Sequence, residues 1–419
     1  MTRLDSAEVG IGAPEMSRRS RSSPYSHLVP EIQLDADHTG DGAHRRLTWL
    51  DGVAMGLATL TVVGLVVLWP DKVPDFDLET IGLATEMVEA EVTAASTMPC
   101  SYAEVYTCHR VEFLVLTGED AGLETWQEFE ESHLSPQFEP GERVVLNVLR
   151  NAELGFTFQF GDRDRRPVLW ALGAVFALAV VALGRMRGLA ALGGLAASVL
   201  LLTNFIAPSM LAGNDPVIVA TVGGAAIALI ALYMSSGWNA LTHVALIGTF
   251  AALAITLGLS WLVSAAAGFS GIASDEAVFV SFVDGIDVSG LILAGAVLGA
   301  IGALDDITVT QASTVLELHK IGEGTTAAEL RSAGLRVGRD HIGATINTLL
   351  LAYAGASIPL LLLYSLSELR LDFVANSEVV AVEIVRTLVG SIGLVAAVPI
   401  TTWLAAEVVA RFARRSAVT

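Results

Sequence analysis

Two adjacent carboxylates, Asp305 and Asp306, interrupt the apolar run GLILAGAVLGAIGALDDITVTQAST that starts at Gly290. A charged side chain at the centre of a membrane helix costs at least about 2.5–3.5 kcal/mol, so it is seldom casual. A carboxylate pair in a polar, partly dry channel is a natural proton or cation site. Counted from Gly290, the pair lies about 22–24 Å along a path of about 30 Å, in the terminal third of the span rather than at its middle.

The helical phase of the neighbours adds to this. Gly295, Gly299, Gly302, Asp306, Thr310, Ser313 and Glu317 follow one another at intervals of 4, 3, 4, 4, 3 and 4. At about 100° per residue they form one narrow stripe, with Asp305 beside it and Gln311 nearly opposite. The glycines are expected to admit a second helix, and the polar residues need a partner or a wet cavity, since lipid satisfies neither. The next apolar run puts Asp340, Gly343 and Asn347 on one face, with Arg336 and Arg339 just before it. Antiparallel neighbours would bring Asp306 to Asn347. Two roles compete. Asp305 and Asp306 bind a coupling ion or proton, or they anchor helix packing through Arg336 or Arg339.

An intramembrane enzyme ranks below both. Gly302-Ala303-Leu304-Asp305 lacks the second glycine of the Gly-x-Gly-Asp of aspartyl proteases, and no Tyr-Asp pair supplies the other carboxylate. Asp305-Asp306 is followed by Ile307-Thr308-Val309 rather than by the third aspartate of a prenyl-transfer motif. With no zinc helix and no phosphate loop in the sequence, no catalytic residue, cofactor or metal ligand is expected.

The elements that must hold these residues follow from composition. The 419 residues are 53% hydrophobic and only 16% charged, with a net charge of −20 and a mean hydropathy of +0.60. A soluble domain carries about 25% charge, so a water-soluble globule and a disordered chain are both excluded. The apolar residues gather into eight runs of spanning length, near 49–69, 168–184, 188–208, 216–234, 242–264, 290–314, 343–365 and 388–410. Trp49 and Trp69 bracket the first at an interfacial spacing. Arg and Lys cluster before the first run, at Arg185 and Arg187, from Lys320 to Arg339 and after the last run. With eight crossings all of these fall on one side, which places both termini in the cytoplasm. The expected organisation is a disordered cytoplasmic tail (1–48), a first span (49–69), an extracytoplasmic domain (70–167), a seven-helix membrane domain (168–410) and a cytoplasmic end (411–419). Within the loop after the sixth run, Thr326 and Glu329 have capping-box spacing ahead of a short amphipathic helix, Ala327–Leu335, expected on the inner surface.

Residues 70–167 hold 20 acidic and seven basic residues, so most of the chain's negative charge is here. His109–Leu116, Trp126–Glu130, Val144–Leu149 and Phe156–Phe160 read as short strands separated by turn residues, and 78–95 as more helical. A small β-barrel or sandwich is expected. Cys100 and Cys108, the only cysteines, are an even pair outside the cytoplasm and are expected to form one disulfide. A metal site using both with His109 ranks below that, for want of a fourth ligand.

Three stretches carry a resemblance: GAIGALDDITVTQASTVLEL, GRDHIGATINTLLLAYAGASIPLLLL, and Arg386 to Thr402 ending in VPITT. Together with Ile206–Gly213 they resemble the YibE/F family of bacterial membrane proteins over about residues 100–410. The resemblance implies a multipass membrane protein with an extracytoplasmic domain and brings no assured reaction. The expected function is therefore a transporter or permease of the bacterial plasma membrane, coupled through Asp305 and Asp306. The alternative is an accessory protein whose acidic domain engages an envelope partner. The expected partners are the lipid bilayer and either an envelope protein or a second copy of the chain, with no nucleic acid.

Overall fold

The computed structural model describes residues 48–70, 86–132, 135–151, 155–283, 285–322, 325–366 and 370–416. The tail expected over 1–48 lies outside these apart from Thr48, which opens the first helix, α1 (Thr48–Val67). Trp49 and Trp69 stand half exposed at its two ends.

Five strands follow: β1 (Glu86–Cys100), β2 (Ala103–Val115), β3 (Glu124–Glu130), β4 (Arg143–Asn151) and β5 (Gly155–Arg163). They form one antiparallel sheet in the order β3-β2-β1-β4-β5. The helical expectation for 78–95 is corrected from residue 86 onward, while 78–85 fall outside the described residues. Val88, Ala90 and Val92 are buried at a period of two, which a strand satisfies and a helix does not. They meet Val111, Phe113 and Val115 of β2 and Val144, Leu146 and Val148 of β4 in one core. Phe138, from the β3–β4 connection, packs edge-on against Phe113 and Phe160. The two outer strands approach each other, because the Phe160 N–H donates to Gln127 Oε1 at 2.7 Å.

The rest is helical. Among the described residues six helices are long and apolar enough to cross a membrane, or seven if one bent pair counts as a span. This differs from the eight runs in two places. The first is α2 (Arg166–Leu201), which continues through one π-helical turn (Leu202–Ile206) into α3 (Ala207–Leu211). Its helical geometry breaks at Arg185, at φ 50° and ψ −127°. There the chain turns back on itself, and a Cβ on Gly188 would run into the Val180 carbonyl. The second is α8 (Ala327–Ala356), bent by 64° from α9 (Ile358–Leu366). The capping box of Thr326 and Glu329 is formed. It starts this long helix, so residues 327–335 are its first turns and not a separate surface helix.

Between these lie α4 (Pro216–Ser236), α5 (Ala240–Ala267), α6 (Asp275–Ser281) and α7 (Val288–Ile321). After α9 come α10 (Leu371–Asn376) and α11 (Glu378–Ser416). Helix α7 is the hub, packed against α4, α5, α8 and α11. The shared core is rich in alanine, with Ala220, Ala252, Ala294, Ala300 and Ala397 around Val297, Leu304 and Leu394. Small residues let helices approach closely where apolar solvent gives them little other reason to associate. At the far end of α5 the Glu378 carboxylate accepts from Ser270 Oγ at 2.9 Å and from the Gly271 N–H at 2.7 Å.

Candidate functional site

The neighbouring aspartates of α7 part company. Asp305 turns towards Thr249 of α5. Its Oδ1 is enclosed without a hydrogen-bond partner. Thr249 Oγ1 lies 2.7 Å from Thr308 Oγ1, and Thr308 donates back to the Asp305 carbonyl at 3.1 Å. Asp306 is exposed, and so are Gly302, Thr310, Ser313 and Glu317. Glu317 pairs with Lys320 of its own helix at 2.8 Å. The polar half of the expected stripe therefore faces outward from the chain.

The glycines of that stripe correct the expectation in another way. A Cβ on Gly295 would meet the Arg386 guanidinium, and one on Gly299 the Tyr353 hydroxyl. They make room for side chains of α11 and α8 rather than for a helix backbone. Gly302 has nothing near.

The expected contact of Asp306 with Asn347 does not form, nor do the ion pairs expected from Arg336 and Arg339. Arg336, Arg339, Asp340 and Asn347 are all exposed, and among the described residues none of them bonds to either aspartate. The reason is rotational. Helix α8 turns Ala327, Leu330, Gly334 and Gly338 inward at intervals of 3, 4 and 4, which leaves its charged face outside.

What enters that small-residue edge is Gln311. It is buried, and its Nε2 donates to the Gly334 carbonyl at 2.8 Å and to Thr402 Oγ1 of α11 at 2.7 Å. A Cβ on Gly338 would come within 2.9 Å of Gln311 Oε1. One amide thus ties three helices together. Sequence reasoning noted Gln311 only as lying opposite the stripe. It also passed over the hydroxyls of α5, although Thr242, Thr249, Thr256, Ser260 and Ser264 recur at 7, 7, 4 and 4. That interval pattern was the available signal.

Two further polar stations flank this centre. His243, near the start of α5, is buried with Nδ1 3.2 Å from Asp51 Oδ1 of α1. Trp238 and Tyr233 close around its ring. On α11, Arg386 donates to Glu383 at 2.5 Å, and its guanidinium stands 6.0 Å from the Tyr353 ring.

All of this except Asp51 lies within residues 172–411, which match the YibE/F-like protein family. The chain belongs to that family. The family match starts later than the likeness expected from about residue 100, so the β-sheet of this YibE/F-like protein stands outside it. Its three longest motifs fall in α7, in α8 with α9, and in α11. No curated protein and no solved structure matches the chain.

In the sheet of this YibE/F-like protein, Cys100 and Cys108 are joined by a disulfide at the end of the β1–β2 hairpin. With both thiols bonded they offer no thiolate to a metal, and His109 Nδ1 instead meets Thr97 Oγ1 at 3.1 Å. The acidic run of β3 is tied to the same hairpin. Glu128 accepts from the Ser101 N–H at 3.0 Å, and Glu130 accepts from the Tyr102 hydroxyl at 2.7 Å. The Ser101 amide holds the Glu128 carboxyl below the usual carboxylate range, with its hydroxyl and Arg110 adding to the effect.

Proposed function

We propose that this YibE/F-like protein is an ion- or proton-coupled transporter or permease in which Asp305 is the coupling carboxylate. The observation that carries this is the enclosed, unpartnered Asp305 Oδ1 at the meeting of α5 and α7. An unpartnered polar atom in a low-dielectric site is costly unless a proton or cation visits it. Asp306, exposed and one residue away, serves as the internal comparison.

The same reading takes the break at Arg185 as a hairpin between two spans and the bent α8–α9 pair as one span, for eight crossings. The basic residues from Arg185, through Lys320 and Arg339, to Arg411 then lie on the cytoplasmic side of a bacterial plasma membrane with both termini. The sheet, closed like a barrel by the approach of β5 to β3, lies outside the cell, where an oxidising compartment favours its disulfide.

The test is flux in proteoliposomes carrying pH-, sodium- or potassium-sensitive dyes. The wild-type protein is expected to dissipate one imposed gradient. Asp305→Asn should slow this about 100-fold or more, as loss of a proton-transferring group does, while Asp306→Asn stays close to wild type. Wild-type flux in Asp305→Asn overturns the reading.

A second reading keeps one specific observation in its favour. Tyr102, Val105 and Tyr106 are exposed beside the disulfide, as an accessory domain that docks an envelope partner would require. If residues 70–167 on an unrelated anchor restore a deletion phenotype, this reading replaces the first.

A further inference from the structure

We infer that the hydroxyls of α5 form a hydrated path through the membrane domain with Asp305 at its side, and that the ion taken by Asp305 is the proton. The second half rests on the transporter reading above, and the first half does not.

At about 100° per residue Thr242, Thr249, Thr256, Ser260 and Ser264 occupy an arc of about 80°. The first four are at most 3% exposed. From Thr242 to Ser264 the helix rises about 33 Å, against about 30 Å of bilayer core. The hydroxyls therefore run the depth of the membrane along one buried line.

What that line faces is set by two reciprocal contacts. A Cβ on Gly248 of α5 would strike Thr401 Oγ1 of α11, and one on Gly393 of α11 would strike Thr256 Oγ1 of α5. The partners are eight positions apart on each helix, 248 to 256 and 393 to 401. Helices α5 and α11 therefore pass antiparallel in register, with Thr401 of α11 on the seam. Thr308 and Asp305 of α7 close it at Thr249.

A buried membrane hydroxyl can bond the carbonyl four residues back, as Thr256 does to Ala252 at 3.0 Å and Thr402 does to Val398 at 2.6 Å. Thr242, Ser260 and Ser264 of α5, and Thr401 of α11, have enclosed oxygens with no hydrogen-bond partner. Left unmet, each such group destabilises the fold. Gathered on one seam, they are the groups that a file of water satisfies.

The chemistry of the file favours the proton. Hydroxyls and water both donate and accept, so they can relay a proton along a line. A hard metal cation instead needs about six oxygens around one point, and these are strung out over the depth of the bilayer. Along the file an O–H bond forms on Asp305 Oδ1 as one breaks in a hydronium ion on the side of higher proton concentration, leaving water. The reverse transfer to water on the other side restores the carboxylate.

The experiment uses the full chain in proteoliposomes, with its disulfide intact. Thr242→Cys, Ser260→Cys and Thr401→Cys are exposed singly to a small, membrane-impermeant, cationic methanethiosulfonate, beside Ala228→Cys of α4 in the apolar core. A thiol reacts as thiolate, which needs water. The three seam variants should label at least about tenfold faster than the control. Labelling as slow as Ala228→Cys overturns the path. A pH-sensitive dye reads the second half. Ser260→Ala, a change too small to unfold the protein, should slow proton flux about tenfold. Sodium flux without a pH change overturns the proton assignment alone. Rapid labelling with no flux of any ion upholds the path and overturns both the assignment and the transporter reading.

Discussion

On one side of α7 the Asp305 carboxyl, Thr308 and Gln311 are held against α5, α8 and α11. On the other side Gly302, Asp306, Thr310, Ser313 and Glu317 are exposed along the same 34-residue helix. The two faces are of similar polarity, so polarity did not choose between them. The choice lies with the neighbours. Gly334 and Gly338 of α8 leave space for an amide, and Gly248 of α5 leaves space for Thr401 beside Thr308. A polar side chain is buried in a membrane helix bundle where a facing helix lacks a Cβ and offers a hydroxyl or carbonyl.

That contrast can be broken most forcefully at the helix contacts. Gly248→Val places methyl groups where Thr401 Oγ1 now stands. Overpacking of this kind costs about 1–3 kcal/mol. A clear fall in the thermal unfolding temperature of detergent-solubilised protein is expected, while Gly302→Ala on the open face should not lower it. Equal effects would mean that the two faces are not distinct.

Next in size is Gln311→Ala. It removes two hydrogen bonds and leaves Thr402 and the Gly334 carbonyl with one partner fewer. A loss of about 1–2 kcal/mol is expected. Ser313→Ala, two positions along the helix but on the outer face, should change stability by less than about 0.5 kcal/mol. The ratio of the two sharpens the comparison.

The smallest effect lies in the sheet and serves as a reference outside both faces. The folded Glu128 carboxyl titrates below the usual range because of the Ser101 amide. A depressed carboxylate stabilises the fold fully above its unfolded pKa of about 4.3, and that contribution is lost as pH falls through the folded value. Glu128→Gln should therefore speed hydrogen exchange at the Ser101 amide near neutral pH. The difference from wild type should fade below about pH 4. A difference that grows on acidification would reverse the sign.

Much of the architecture was open to reading because it depends on local pattern. The strand of Phe113 and Val115 announces itself by alternation, and a capping box announces the start of α8 through Thr326 and Glu329. Where local pattern had two solutions, the reading failed. The segment from Glu86 reads as helical by pattern, yet its valines alternate inward against β2 and β4. The stripe through Asp306 does share one helical phase, yet from Gly302 onward it faces out rather than into a contact. A helical wheel fixes which residues share a face and says nothing about which face a neighbour will cover.

By itself the sequence determined that the chain is a membrane protein, because twenty-residue apolar runs have no other stable place. It also determined that a carboxylate near Asp305 needs a reason, because so few charges sit among those runs. Tertiary structure alone decided which aspartate turns inward. It set Asp305 beside Thr249, left Asp306 exposed, and put Gln311 rather than Asn347 at the junction of three helices. The physical reason is that one residue is a rotation of about 100°, and only the small residues on the neighbouring helices determine which direction has room.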